Sequence, residues 1–252
     1  MRFGVCVSNF GSYSDPGLVA SLAEAAEDAG WEAVLVWDHL AFVWGKPSAD
    51  PWVLLTACAD RTSRILLGTA VTPVPRRRVQ NLAHTVATLD RLSGGRVVFG
   101  AGLGGNRSEF ERFGEDFSRG SRLALLEEGL ARLRAWWDGD EVDGVRLLPP
   151  PEHRVPIWVG GNSEEALALA ACYDGWVANS AGREGVRLSP HEVADAAGRV
   201  QGEVIILNGA SGSATPGEYE SAGATWWVES LHDRRGPVDE MLEIVRAGPP
   251  AA

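Results

Sequence analysis

The chain has 252 residues and 45% hydrophobic content, enough for one α/β barrel or two smaller domains with a sizeable core. Its net charge of −11 repels polyphosphate, which argues against nucleic acid or an anionic membrane as partner but leaves room for a small anionic ligand in a local pocket. No charged leader opens the sequence and no apolar run reaches membrane-spanning length, so a cytoplasmic location is expected.

Phe3 to Ser8 predicts a first strand. Asp15-Pro16 supplies an N-cap and a first helical residue, and the helix runs through Leu18, Leu22, Ala25, Ala26 and Ala29 to a stop at Gly30. Ala33 to Trp37 forms the second strand, with Asp38 and His39 at its end. A loop carrying Trp44, Gly45 and Pro47 leads to Asp50-Pro51, which caps a helix through Leu54, Leu55 and Cys58. Ile65 to Val71 is the third strand, closed by Thr72-Pro73, and a helix follows from about Arg77 to Leu92. Ser93-Gly94-Gly95 breaks that helix before a short buried strand, Val97-Val98-Phe99. Gly100, Gly102, Gly104 and Gly105 then remove side chains where this fourth strand ends, so the backbone can lie against a flat ring or a phosphate.

Helical patterns occupy Ser108 to Phe113 and Arg119 to Trp137, and the segments Asp138-Gly139-Asp140 and Pro149-Pro150-Pro151 mark an excursion outside the repeat. Pro156 to Val159 is the fifth strand, and Gly160-Gly161-Asn162-Ser163 opens a helix ending near Cys172. Gly175 to Asn179 is the sixth strand. Ser189 to Glu192 is a capping box before the seventh strand, Val204 to Leu207; Thr215 to Glu218 repeats the box before the eighth, Thr225 to Val228. Pro237 begins the last helix. Eight strands, each followed by a helix, predict a single (β/α)8 TIM barrel over residues 1–252, with a doubly wound open sheet as the alternative. No glycine-rich turn follows the first strand, which argues against a dinucleotide fold.

A barrel gathers its active site at the carboxyl ends of the strands. Asp38 and His39 stand at such an end, where an imidazole can exchange a proton and a carboxylate can orient it; equally, Asp38 caps the loop and His39 is an ordinary polar residue. Trp44 could cover a ring face or only pack the loop. The backbone N–H groups of Gly160, Gly161, Asn162 and Ser163 at a helix start could hold a phosphate, or Ser163 could simply cap the helix. Arg76, Arg77 and Arg78 at a helix start read as a solvated face. Cys6, Cys58 and Cys172 are odd in number, far apart and set in apolar segments, so buried small hydrophobes are expected and neither disulfide nor metal site.

Several separated segments, in order, resemble the bacterial luciferase-like monooxygenase superfamily: VWDHL (Val36 to Leu40), DPW (Asp50 to Trp52), RTSRILLGTAVTPVPRR (Arg61 to Arg77), ATLDRLSGGRVVFGAGLG (Ala87 to Gly104), EFERFG (Glu109 to Gly114), PIWVGGNSEEAL (Pro156 to Leu167) and DGW (Asp174 to Trp176). The resemblance implies a barrel enzyme using coenzyme F420 or, alternatively, FMN. It implies that the Asp38-His39 pair faces the cofactor, that a non-prolyl cis peptide at Ala70-Val71 buttresses its ring, that Gly100, Gly102 and Gly104 border the ring, and that the Gly160 to Ser163 turn takes its phosphate. The F420-dependent sugar-phosphate dehydrogenases place a glutamate directly after the glycine-rich end of strand four, where this chain has Gly105; Glu109, one helical turn later, is the candidate pocket carboxylate, or else a helix N-terminal charge. The interval from Gly209 to Gly223 is short, so the pocket is expected to be shallow or completed by a partner subunit in a homodimer. The expected function is F420-dependent hydride transfer to or from a small organic substrate; an FMN monooxygenase and a non-catalytic flavin-binding homologue are the alternatives.

Overall fold

In the computed structural model, residues 1–178, 188–208 and 214–250 are described. Asn179 and the first part of the Gly209 to Gly223 interval lie outside them. The chain alternates strands and helices: β1 (Arg2–Val7), α1 (Pro16–Asp28), β2 (Ala33–Val36), α2 (Pro51–Arg61), β3 (Leu66–Thr69), β4 (Thr72–Pro73), α3 (Val79–Ser93), β5 (Val97–Gly102), α4 (Ser108–Glu111), α5 (Arg119–Trp137), β6 (Glu141–Val142), β7 (Val145–Arg146), β8 (Ile157–Gly160), α6 (Glu164–Ala170), β9 (Gly175–Ala178), α7 (Pro190–Ala197), β10 (Glu203–Asn208), α8 (Pro216–Ser221), β11 (Trp226–Leu231) and α9 (Val238–Ala247). Among the described residues, β1, β2, β3, β5, β8, β9, β10 and β11 are all parallel, and the β1–β11 and β3–β5 pairings close them into an eight-stranded barrel. The open-sheet alternative is thereby excluded.

Strand alternation divides the core in two. Cys6, Leu35, Val98, Trp158, Ile205 and Trp226 fill the lumen, while Val5, Val34, Phe99 and Trp227 face the surrounding helices. Local signals set the helix starts as the sequence indicates. Asp15 accepts from the N–H of Gly17 at 2.7 Å and Asp50 from that of Trp52 at 2.9 Å, each before a proline in the first turn. Both capping boxes form, at Ser189–Glu192 and Thr215–Glu218.

Three differences from the sequence reading have physical causes. The cis peptide expected at Ala70-Val71 is present, but it falls between two strands, so the third strand does not run unbroken to Val71: β3 ends at Thr69 and β4 follows. Gly100 and Gly102 lie within β5, not beyond it, because the strand passes this interruption at close range: a Cβ on Gly100 would fall 1.8 Å from the Thr69 carbonyl oxygen. Cys172 is exposed, since α6 ends at Ala170 and leaves it on the following turn; Cys6 and Cys58 are buried. The excursion after α5 contains a small antiparallel hairpin, β6–β7, outside the barrel. No helix among the described residues is long and apolar enough to cross a membrane.

Candidate active site

At the carboxyl end of β1, Asn9 ties down the loop that follows β2. Its amide nitrogen donates to the carbonyl oxygens of His39 and Ala49, both at 2.8 Å, and its amide oxygen accepts from the His39 N–H at 3.0 Å. His39 is thus fixed at the barrel mouth, its ring within 6.0 Å, centroid to centroid, of Phe10, Trp37 and Trp44.

Behind the imidazole runs a chain of alternating charge from four segments. His39 Nδ1 lies 2.7 Å from Glu109 Oε1, on α4. Arg76, which leaves β4 on a short 3-10 turn, donates from Nη1 to Glu109 Oε2 and from Nη2 to Asp38 Oδ1 at 3.0 Å. Arg77 Nη2 reaches Asp38 Oδ2 at 2.8 Å, and its Nη1 reaches Asp50 Oδ2 at 3.1 Å. The side chains of Asp38, Glu109 and Arg76 are 1%, 2% and 4% exposed, so each charge depends on its partners for the solvation it has lost. Burial, then the Arg76 guanidinium, push the His39 imidazole down to about 4, while the Asp38 carboxylate pulls the other way. The Glu109 carboxylate at Nδ1 fixes Nδ1–H as the donor, so the neutral ring presents Nε2 as a proton acceptor. Trp44 Nε1 donates to Ser108 Oγ at 3.0 Å, which joins the loop after β2 to the start of α4.

The structure thus brings Asp38, His39, Trp44 and Glu109 together. A second group gathers about Val71: a Cβ on Gly102 would lie 2.5 Å, and on Gly160 2.8 Å, from its methyl groups. Close packing accounts for these glycines and for Gly104, whose added Cβ would meet Pro73 and Phe110 at 2.9 Å. At the following turn, the Gly161 N–H donates to Val177 O at 3.2 Å, and Ser163 Oγ accepts from Ala166 N at 3.3 Å as a helix cap. Reading the arginines as a solvated face is corrected: Arg76 is buried and Arg77 half-buried, both facing carboxylates. The available signal was position, since an arginine directly after a barrel strand points to the catalytic face. Asn9, in the same position after β1, was missed.

Residues 1–210 match the model of a family described as luciferase-like monooxygenase. The chain belongs to this family. Among luciferase-like relatives, the F420-dependent glucose-6-phosphate dehydrogenase of Nakamurella multipartita is 32% identical, the match covering 71% of this chain and 56% of that protein. The chain spans about half the length of the first curated relatives it matches. The barrel superimposes on an F420-dependent secondary alcohol dehydrogenase, seen with an F420-acetone adduct, at a TM-score of 0.78 and 18% identity over 99% of this chain and 98% of that one. It also matches the oxygenating constituent of 3,6-diketocamphane monooxygenase from Pseudomonas putida, in complex with FMN, at a TM-score of 0.63 and 15% identity over 82% of this chain and 66% of that one.

Proposed function

We propose that this luciferase-like protein is an oxidoreductase that uses coenzyme F420 to transfer hydride to or from a small organic substrate at the carboxyl end of the barrel. The observation that carries the reading is the His39–Glu109 contact, which turns Nδ1–H to the carboxylate and leaves Nε2 at the mouth without a partner among the described residues. The residues around it suit a polar-edged ring: Trp37 lies 5.3 Å from His232, and His232 Nδ1 and Ser230 Oγ are buried with no hydrogen-bond partner among the described residues, as groups awaiting a ligand would be. Ala70, Val71, Gly100, Gly102 and Gly104 would line the ring of the cofactor, and Gly160, Gly161, Asn162 and Ser163 its phosphate. When bound, F420 supplies a two-electron hydride acceptor or donor. The protein's own part is proton handling: His39 Nε2 takes the proton of a substrate hydroxyl, or returns it to a carbonyl oxygen, while Glu109 fixes the ring and Arg76 holds Glu109. A cytoplasmic homodimer belongs to the same reading and is tested by fractionation and by solution mass.

A visible-range titration with F420 and with FMN, each oxidised and reduced, tests the cofactor. Selective F420 binding with alcohol-dependent reduction, lost in His39→Gln, is the expected result. Preference for reduced FMN would replace the reading with a monooxygenase; binding without turnover on any alcohol would replace it with a non-catalytic homologue.

A further inference from the structure

A second cavity of about 190 Å³ opens between α2 and the start of α3, walled by Trp52, Arg76, Arg77, Arg78, Asn81 and Thr85. Its polar walls are guanidinium, amide, hydroxyl and indole groups, and no carboxylate lines it. Arg76 and Arg77 spend their Nη atoms on Asp38, Glu109 and Asp50, and neither Nε has a partner among the described residues. Arg78 forms no ion pair among the described residues and is the N-cap of α3 without offering a side-chain acceptor, so the first N–H groups of that 15-residue helix find no side-chain cap. An independent observation lies in the wall itself. Trp52 is 3% exposed, and its indole N–H is buried with no hydrogen-bond partner among the described residues. A buried donor without an acceptor is costly, and a site lined by guanidinium groups and no carboxylate favours an anionic ligand rich in acceptors.

We propose that this cleft binds a phosphate group, a tetrahedral oxyanion whose several acceptor atoms can meet the indole N–H, the guanidinium N–H groups and the helix N-terminus at once. The cleft borders the candidate active site through Arg76 and Arg77 but is distinct from the mouth at which His39 stands. The inference does not depend on which cofactor the barrel holds.

Isothermal titration of the purified protein with inorganic phosphate, at low and constant ionic strength, tests it. Saturable phosphate binding is expected, and the part lost in Arg78→Ala and Trp52→Phe belongs to this cleft, whereas any part they leave unchanged belongs to the Gly160 to Ser163 turn. Arg78→Ala, at an exposed position, weakens it about tenfold, as loss of one charge-assisted contact would. Trp52→Phe weakens it too, with far-ultraviolet circular dichroism unchanged, whereas Arg112→Ala, at an exposed arginine that ends α4 and is no part of the cleft wall, binds as wild type. A phosphate monoester binding more tightly than inorganic phosphate would mark the ligand as an organic phosphate; equal binding would mark it as the free ion. Absence of binding by the wild-type protein, or undiminished binding by Arg78→Ala and Trp52→Phe together, overturns the proposal.

Discussion

At the scale of single residues, Arg76 decides whether the site holds together. Among the described residues it is the one guanidinium bonded to both Asp38 and Glu109, so Arg76→Met leaves two buried carboxylates with one cation fewer. Breaking such a pair costs about 3–5 kcal/mol, which urea denaturation should show alongside loss of activity. His39→Gln removes the acceptor nitrogen and should lower kcat/KM by roughly 10²–10⁴ with little change in cofactor affinity. The pH dependence has a definite sign. The native imidazole is held at about 4 against an ordinary 6.5, so the unfolded chain binds this proton more readily. The resulting stabilisation is full above pH 6.5 and is lost as the pH falls towards 4, while kcat/KM declines only once Nε2 itself protonates near 4. Stability measured from pH 7 down to 4 should therefore fall before activity does. Asp38 and His39 were legible as candidates because they follow a strand end, where a barrel gathers its site. Arg76 was not, since a run of three arginines looks the same in sequence whether it faces water or two carboxylates folded onto it from loops far along the chain.

At the scale of elements, the helices were the most legible parts. Asp15-Pro16, Asp50-Pro51 and the two capping boxes are local devices whose geometry depends on neighbours within four residues, and each forms where the sequence places it. Strand ends were less legible. The continuation of β5 through Gly100 and Gly102 depends on what β3 does beside it, a non-local condition that a glycine run does not reveal. The contrast gives a paired prediction. Gly100→Ala forces a Cβ against the Thr69 carbonyl oxygen and should abolish soluble folded protein, whereas Gly105→Ala meets nothing within 4 Å and should melt within a few degrees of wild type. Equal tolerance of both would remove close packing as the reason for glycine in β5.

For the whole molecule, the two ends of the barrel have separate duties. At the amino end, Arg96 is 8% exposed and donates to Ser93 O, Thr62 Oγ1, Thr62 O, Ile65 O and Ala59 O at 2.7–3.1 Å, stapling α2 and the start of β3 to β5. Arg96→Met should cost about 3 kcal/mol in chemical denaturation while leaving kcat/KM of the folded fraction unchanged, because nothing in the staple reaches the mouth. At the carboxyl end, Asn9 bonds the two ends of the loop, His39 and Ala49, to one side chain. The loop is closed at its base, while Phe42, 55% exposed, packs against Phe113 and lines the same cleft as His39. Because Asn9 holds both the N–H and the carbonyl of His39, Phe42, Val43 and Lys46 can diverge without moving its backbone. The protein thereby carries an exchangeable cassette, in which new substrate ranges can be tried by drift or by library selection while the chemistry stays in register.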